Sequence, residues 1–266
     1  HYCGFNVLMH KSCEACGSHT LDSKGFGTEQ VAEEVKQLFP DFKVARMDLD
    51  TTRGKHSYEK IIGAFEQQET KILVGTQMLT KGLDFRQVKL VGIMNADSLL
   101  NFPDFRAHER SFHLMQQVAG RAGRTDERGK VLIQTYNPHH KILQQLASND
   151  YVSMFKEQMD DRHTFKYPPI YRLIKITLRH RDFNKVNTAA DWMTKSLRQI
   201  FGEFVLGPEF PAIARIRNQY HKNILIKIPE KQSLAKTKEA VLKVKNSFLN
   251  VKDFRPIKVI LNVDNY

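Results

Sequence analysis

The stretch Lys71–Phe85, "KILVGTQMLTKGLDF", joins a nearly continuous apolar run to a polar loop that contains glycine. Such a run is typical of a strand buried on both faces of a parallel sheet. In sheets of this kind, functional groups gather in the loops that follow the carboxyl ends of the strands. The stretch therefore predicts an α/β domain that places this loop against a ligand.

The flanking sequence supports this prediction, because apolar strand-like runs alternate with helical patterns from about residue 20 to residue 148. Apolar residues recur at helical spacing in "GTEQVAEEVKQLFP" (Val31, Val35 and Leu38) and in "KHSYEKIIGAFEQQ" (Ile61, Ile62 and Phe65). We expect residues 25–150 to form a parallel sheet flanked by helices.

The pattern changes after residue 150. Residues 151–168 are expected to form a linking helix that ends at Pro168 and Pro169. Beyond them the order strand, helix, strand, strand, helix, strand predicts a ferredoxin-like α+β domain over residues 169–266.

Composition narrows the class of protein. The 266 residues are 41% hydrophobic, enough for a packed core, and carry a formal net charge of +12. The charge favours a polyanionic partner such as nucleic acid, although a basic protein without such a partner has the same composition. No apolar run reaches the roughly 18 residues of a membrane span. Because the chain starts at His1 without an initiator Met, we expect a fragment. It shows no charged-then-apolar leader, so we expect no secretory signal.

The segment Gln117–Arg124, "QVAGRAGR", predicts a phosphate contact. Arg121 and Arg124 present planar, permanently charged donors suited to phosphate oxygens, and Gly120 and Gly123 remove side-chain bulk. Such arginines clamp a triphosphate that another domain binds. The alternative is a helix end with arginines on its negative dipole and a glycine stop.

The loop after "KILV" adds candidate contacts. Thr76 and backbone amides near Gly75 suit phosphate, and Gly82 permits a tight turn. Asp84 either bonds a ribose, orients an arginine or stabilises its turn, and Lys81 either meets DNA phosphate or is solvated.

Two further segments stay open. The cysteines Cys3, Cys13 and Cys16 cluster at the start of the chain, which indicates a reduced protein with a metal knuckle. Structural zinc needs four ligands, so they form incomplete zinc sites or are free thiols, unless a nearby histidine joins them. The segment 214–223, "ARIRNQYHKN", is a candidate DNA or partner surface or a solvated hairpin.

The two motifs "GTQMLTKGLDF" and "QVAGRAGR" resemble motifs V and VI of superfamily 2 helicases. With "HYCG", "CEACGS", "RMDLDTT", "NADSLLNFPDFRAHER" and "YPP", the whole chain resembles the family of primosomal replication-restart helicases. The resemblance is strongest over residues 1–136. It implies a RecA-like second lobe at residues 25–150 and a remnant of a zinc-binding region at residues 1–24.

The resemblance implies a 3′-to-5′ ATP-dependent DNA helicase that recognises abandoned forks in the bacterial cytoplasm, in association with the nucleoid. Its implied cofactors are ATP, Mg²⁺ and Zn²⁺. Its implied partners are forked and single-stranded DNA, single-stranded DNA-binding protein, and primosome and helicase-loading proteins. The chain has no G-x-x-x-x-G-K-[ST] phosphate loop, which the family carries in its first lobe, so we expect it to be inactive alone.

The resemblance also assigns roles to residues. It places Arg121 and Arg124 at the γ-phosphate of ATP, with Gln117 beside them. It places Gly75, Thr76 and Gln77 at the DNA backbone or in its coupling to ATP. It puts Cys13 and Cys16 in one zinc site and Cys3 in another. The alternatives are a non-motor binding module with this fold, or the second lobe of an RNA helicase.

Overall fold

The structure, a computed structural model, describes residue 12 and residues 27–54, 56–76, 87–122 and 129–264. The chain divides into two compact units. The amino-terminal unit lies within residues 10–102 and 107–154. The carboxy-terminal unit lies within residues 155–266 and includes residues 103–106.

The amino-terminal unit alternates helices and strands. Its elements are α1 (Thr28–Leu38), β1 (Val44–Met47), α2 (Ser57–Glu66), β2 (Ile72–Gly75), β3 (Leu90–Ile93), α3 (Asp97–Leu100), α4 (Ala107–Ala119), β4 (Lys130–Ile133) and α5 (Lys141–Ala147). Strand β1 pairs in parallel with β2, and β3 pairs in parallel with β4. The predicted α/β class with parallel strands is confirmed, although all four residues of β2 are only partly buried.

Two apolar clusters hold this unit together. Met47 and Ile62 form one, against which Ile61 and Phe65 pack, so the predicted inner face of α2 is confirmed. The second gathers Ala96, Leu100, Phe112, Met115, Ile142, Leu143 and Met154. Because Phe112 and Met115 are almost completely buried, α4 is anchored by this second cluster.

The helix α6 (Tyr151–Thr164) follows α5. The carboxylate of Asp150 accepts a hydrogen bond from the amide of Ser153 at 3.0 Å, which satisfies one of the free donors at the start of the helix. No helix in the described part of the chain combines the length and apolar character needed to cross a membrane.

The carboxy-terminal unit contains β5 (Tyr171–His180), α7 (Phe183–Phe201), β6 (Val205–Glu209), β7 (Arg215–Ile216), β8 (Gln219–Pro229), α8 (Leu234–Asn250) and β9 (Lys258–Val263). The sheet order is β6-β8-β5-β9, every pairing is antiparallel, and β7 pairs with the start of β8. This is the predicted βαββαβ arrangement. The single strand expected over "VLGPEFPAIARI" is instead two, β6 and β7.

Alternation along the central strands explains the core of this unit. Ile174, Ile176 and Leu178 of β5 point to one face, as residues two apart must, and each is at most 1% exposed. The helices cover this face with apolar residues at helical spacing, which include Val186, Ala189, Ala190, Met193 and Leu197 of α7 and Val241, Val244 and Phe248 of α8. Trp192 packs on Phe248 and Phe254 at its margin.

Candidate nucleotide and nucleic-acid site

The carboxyl end of α4 carries the described part of "QVAGRAGR". Phe112 and Met115 hold the inner side of the helix in the core, and this leaves Gln117 and Gly120 exposed. Arg121 lies half-buried in the turn that follows. The structure therefore brings Gln117, Gly120 and Arg121 together within about one helical turn.

Backbone hydrogen bonds define the turn itself. The amide of Gly120 donates to the carbonyl of Gln116 at 2.9 Å, and the amide of Arg121 donates to the carbonyl of Val118 at 3.0 Å. At the end of α4 the backbone hydrogen bonds therefore change from a four-residue to a three-residue span. Gly120 does not have a positive φ, and an added Cβ there would lie 3.4 Å from the Gln116 carbonyl oxygen, at the edge of ordinary contact. The turn does not need a left-handed glycine at this position.

The other candidates fall on separate parts of the chain. Gly75 is the last residue of β2, opposite Met47 of β1, and Thr76 is exposed directly after it. The remaining predicted contacts lie outside the described residues: Gln77, Lys81, Gly82, Asp84, Gly123 and Arg124, and the cysteines Cys3, Cys13 and Cys16. Among the residues that the structure does describe, no cluster of three or more His, Cys, Asp or Glu side chains is placed to hold a metal.

Asp97 is a residue that sequence reasoning missed. Its carboxylate accepts hydrogen bonds from the Thr135 hydroxyl at 2.9 Å and from the Tyr136 amide at 3.0 Å. The Tyr136 bond is the largest cause that holds the pKa of Asp97 below its ordinary value. Asp97 follows β3 and the other two residues follow β4, so it ties the carboxyl ends of these paired strands together. The sequence did contain a signal for Asp97: in "GIMNAD" it is an acidic residue that closely follows the apolar run of β3.

Asp48 performs a similar task after β1. Its carboxylate accepts hydrogen bonds from the Thr28 hydroxyl at 2.5 Å and from the Thr51 amide at 3.0 Å, and it forms an ion pair with Arg46 at 3.1 Å. The hydrogen bond from Thr28 is the largest cause that lowers the pKa of Asp48. Asp48 therefore binds the start of α1 to the end of β1, so its carboxylate is committed to the fold.

The segment 214–223 forms a tight hairpin. Arg217 and Asn218 have φ of 49° and 60°, which matches a two-residue type I′ turn between β7 and β8. Arg215 lies over the ring of Tyr220 at 5.1 Å. His221, grouped with these residues in the sequence, is only 6% exposed, and burial lowers its pKa. His221 therefore belongs to the sheet and not to a surface.

The parallel α/β unit with its glycine-arginine turn is the second, RecA-like lobe of a helicase: residues 21–126 match the family model of the helicase conserved C-terminal domain. Residues 163–266 match the model of the primosomal protein N C-terminal domain. The chain belongs to the PriA family of replication restart proteins, as its sequence motifs predict.

Three relatives illustrate the similarity. The chain is 38% identical over 244 residues to the replication restart protein PriA of Bacillus subtilis, which covers 91% of this chain and 30% of that protein. It is 37% identical over 266 residues to PriA of Synechocystis, which covers 99% of this chain and 31% of that protein. It is 40% identical over 240 residues to PriA of Haemophilus influenzae, which covers 89% of this chain and 33% of that protein. The chain thus spans about a third of the length of these curated relatives.

Proposed function

We propose that this chain supplies one wall of the ATP site, and part of the DNA track, of a 3′-to-5′ DNA helicase that restarts replication at abandoned forks. The observation that carries the proposal is the turn after α4. Gly120 is exposed and has no positive φ, so the fold does not require glycine there. A small residue that the fold does not need, beside Arg121 and Gln117, suits the close approach of a phosphate.

In this proposal the guanidinium groups of Arg121 and Arg124 contact the γ-phosphate, and Gln117 lies beside them. Two fixed positive charges stabilise the negative charge that develops on the transferred phosphoryl group. Gly123, Gly82 and Asp84 complete this wall. The phosphate loop and the carboxylates that hold Mg²⁺ come from another lobe, so the chain alone does not hydrolyse ATP.

The DNA contacts fall at the end of β2. Gly75 ends β2 and exposed Thr76 follows it, at the carboxyl end of the strand, where ligands of α/β sheets bind. With Gln77 and Lys81 they contact the phosphate backbone and couple its position to the state of ATP. Cys3, Cys13 and Cys16 contribute to zinc sites. Single-stranded DNA-binding protein and the primosome and helicase-loading proteins are the proposed protein partners, and the nucleoid is the proposed location.

The test uses the longer protein that this proposal requires. Arg121→Ala and Arg124→Ala are each expected to abolish ATP turnover on forked DNA while fork affinity changes less than about threefold, since these groups act on phosphate and not on DNA. Arg110→Ala, an exposed arginine earlier on the same helix, is the matched control and is expected to keep turnover.

Other outcomes separate the alternatives. Turnover that survives both substitutions contradicts the ATP wall. A longer protein without ATPase activity on any nucleic acid favours a non-motor binding module. Stimulation by RNA duplexes in preference to forked DNA favours the lobe of an RNA helicase.

A further inference from the structure

Gln116, the glutamine that directly precedes Gln117 near the end of α4, reaches a distant part of the same unit. Its side-chain amide donates a hydrogen bond to the carboxamide oxygen of Asn149 at 3.0 Å. Asn149 lies 33 residues further along the chain, between α5 and α6. The bond therefore joins the carboxyl end of α4 to the corner at which α5 ends and α6 begins.

Apolar packing does not extend over this last part of α4. Met115 is the last fully buried residue of the helix, which runs on to Ala119. Ala119 is only partly buried, and Gln117 and Gly120 are exposed. The turn after α4 thus begins just beyond the part of the helix that the core fixes, and a sideways contact at Gln116 restrains it there.

The backbone of Gln116 is part of the turn as well. Its carbonyl oxygen accepts a hydrogen bond at 2.9 Å from the amide of Gly120, the residue directly before Arg121. Gln116 is therefore bonded to the α5–α6 corner through its side chain and to the turn through its carbonyl. Because peptide units are planar and stiff, a displacement of Gln116 also displaces Gly120 and Arg121.

Asn149 is a firmly held acceptor. Its φ of 55° is left-handed, a conformation that asparagine adopts more readily than most residues. Its amide donates to the carbonyl of Leu146 at 3.1 Å, and the amide of Asp150 donates to the carbonyl of Gln145 at 2.7 Å. These two bonds close α5 in a Schellman motif. Since α4 and α5 contribute to the same buried cluster, the corner is fixed relative to the body of α4.

Stability alone does not account for the contact. Asn149 is exposed and Gln116 is only partly buried, and a neutral hydrogen bond that water can replace adds little to the free energy of unfolding. The contact instead fixes a position. The two neighbouring glutamines have different surroundings, because the side chain of Gln116 is bonded to the fold while Gln117 is exposed.

We propose that Gln116 is a positioning residue for the phosphate contact of the longer helicase. By holding the end of α4 to Asn149, it fixes the turn that presents Arg121, and Arg124 after it, to the γ-phosphate. A small displacement of these charges slows phosphoryl transfer, because the charge that they stabilise develops in the transition state. The inference rests on the proposed function and adds to it a residue that itself contacts no ligand.

The test measures ATP turnover by the longer protein on forked DNA. Gln116→Met keeps the length of the side chain and removes its amide. The value of kcat is expected to fall about tenfold while KM for ATP changes less than about twofold, because Arg121 is still present but displaced in the transition state. Asn149→Gly removes the acceptor and suits the left-handed backbone, and the same fall in kcat is expected.

Three further variants separate positioning from a general loss of structure. Asn149→Asp keeps an acceptor oxygen and is expected to lose less than about twofold in kcat. Gln116→Met combined with Asn149→Gly is expected to be no worse than either change alone, since both remove the same bond. The matched control is Gln30→Met, which loses the hydrogen bond of 2.9 Å to Glu34 on α1 and is expected to keep full kcat.

Hydrogen exchange of the longer protein, followed by mass spectrometry, gives a readout that does not depend on ATP. The peptide that contains the amides of Gly120 and Arg121 is expected to exchange roughly tenfold faster in Gln116→Met and in Asn149→Gly, and at the parent rate in Gln30→Met. Both measurements are made well below the unfolding temperature of each variant, so that a lost fold is not mistaken for a displaced turn.

Full kcat in Gln116→Met, or unchanged exchange at Gly120 and Arg121, overturns the inference. A raised KM for ATP with unchanged kcat overturns it too, as do additive losses in the double variant. These results leave the proposed function intact as long as Arg121→Ala and Arg124→Ala abolish turnover. Turnover that survives those two substitutions overturns the proposed function and this inference with it.

Discussion

The rings of Phe105 and Tyr167 are stacked, with centroids 4.6 Å apart and planes 8° from parallel. The guanidinium of Arg162 lies 5.5 Å from the Phe105 ring, and the ammonium of Lys227 lies 3.8 Å from the Tyr167 ring. The stacked pair of rings therefore lies between two cations, and the four side chains form a column. This column attaches residues 103–106, which lead directly into α4, to the carboxy-terminal unit.

Loss of one ring tests the column. Phe105→Leu is expected to destabilise the carboxy-terminal unit by about 1–2 kcal/mol, because a stacked aromatic pair and its cation are lost together. Denaturant unfolding followed by Trp192 fluorescence measures this unit alone, since Trp192, the sole tryptophan of the chain, packs against its core. Phe105→Tyr keeps the ring and is expected to stay within about 0.5 kcal/mol of the parent. Equal losses in the two variants would show that stacking contributes nothing.

The phenol of Tyr167 offers a second test at the same place. Burial is the largest cause that raises its pKa above the ordinary 10.0, and the charges of Glu209 and Asp104 add to it. The neutral phenol is therefore the favoured form in the folded state. The contribution of the neutral phenol to the free energy of unfolding is complete below pH 10.0. It is lost as the pH rises through the higher pKa that Tyr167 has in the folded state.

Spectrophotometric titration of tyrosinate is the measurement. Tyr167 of the parent chain is expected to titrate above pH 10.0, and Tyr167→Phe is expected to remove that step. Phenylalanine keeps the stacked ring, so the fold is retained. If the late step persists in Tyr167→Phe, it belongs to another tyrosine.

Gly207 is a position where the backbone demands glycine. It has φ of +96°, and a Cβ there would lie 2.8 Å from the carbonyl oxygen of Asn223 in β8. Gly207→Ala is therefore expected to cost about 2–4 kcal/mol, through both backbone strain and the clash with β8. Gly202→Ala is the matched control. Gly202 also has a positive φ, of +58°, but an added Cβ meets nothing within 4 Å.

The control is expected to cost about 1–3 kcal/mol, and less than Gly207→Ala, because it carries backbone strain without the clash. Unfolding followed by Trp192 fluorescence compares the two variants in the same unit. Similar losses would mean that strand β8 moves aside, which would contradict the clash.

The order of the elements was predictable because helical and strand periodicities are local properties of the sequence. The inner face of α2 follows from the spacing of Ile61, Ile62 and Phe65. The spacing of Val31, Val35 and Leu38 predicts the helix α1, which is confirmed, but Leu38 is 73% exposed and Ala32 is the buried residue of that helix. Periodicity identifies an apolar stripe, but the neighbouring strand decides which part of the stripe is covered.

The stacking of the Phe183 and Phe210 rings, with centroids 5.5 Å apart, was not predictable in this way. Phe183 and Phe210 lie near helix and strand ends, where no periodic pattern marks them. Their meeting depends on which strands are neighbours in the sheet, and that order is a property of the assembled unit. His221 shows the same limit of sequence reasoning. The sequence places it among the cations of segment 214–223, but the alternation of side chains along β8 buries it.

Asp48 supplies a final test, in the amino-terminal unit. Its lowered pKa means that the ionised carboxylate is favoured in the folded state. The stability it contributes is present above the unfolded pKa of 3.8 and is lost as the pH falls through the lower folded value. Asp48→Ala removes the acceptor for the Thr28 hydroxyl and the Thr51 amide, and a loss of about 1–3 kcal/mol is expected.

Hydrogen exchange of the α1 amides measures this loss of stability locally, because Thr28, which donates to Asp48, is the first residue of that helix. Exchange in Asp48→Ala is expected to be roughly tenfold faster near neutral pH. The difference from the parent is expected to shrink as the pH falls from 3.8 through the lower folded pKa, where the parent's own carboxylate becomes protonated. Asp50→Ala is the matched control, an exposed carboxylate in the same loop that pairs only with Arg53 among the described residues. Equal acceleration in both variants would mean that loss of any acid in this loop loosens α1, and that Asp48 has no special role in joining α1 to β1.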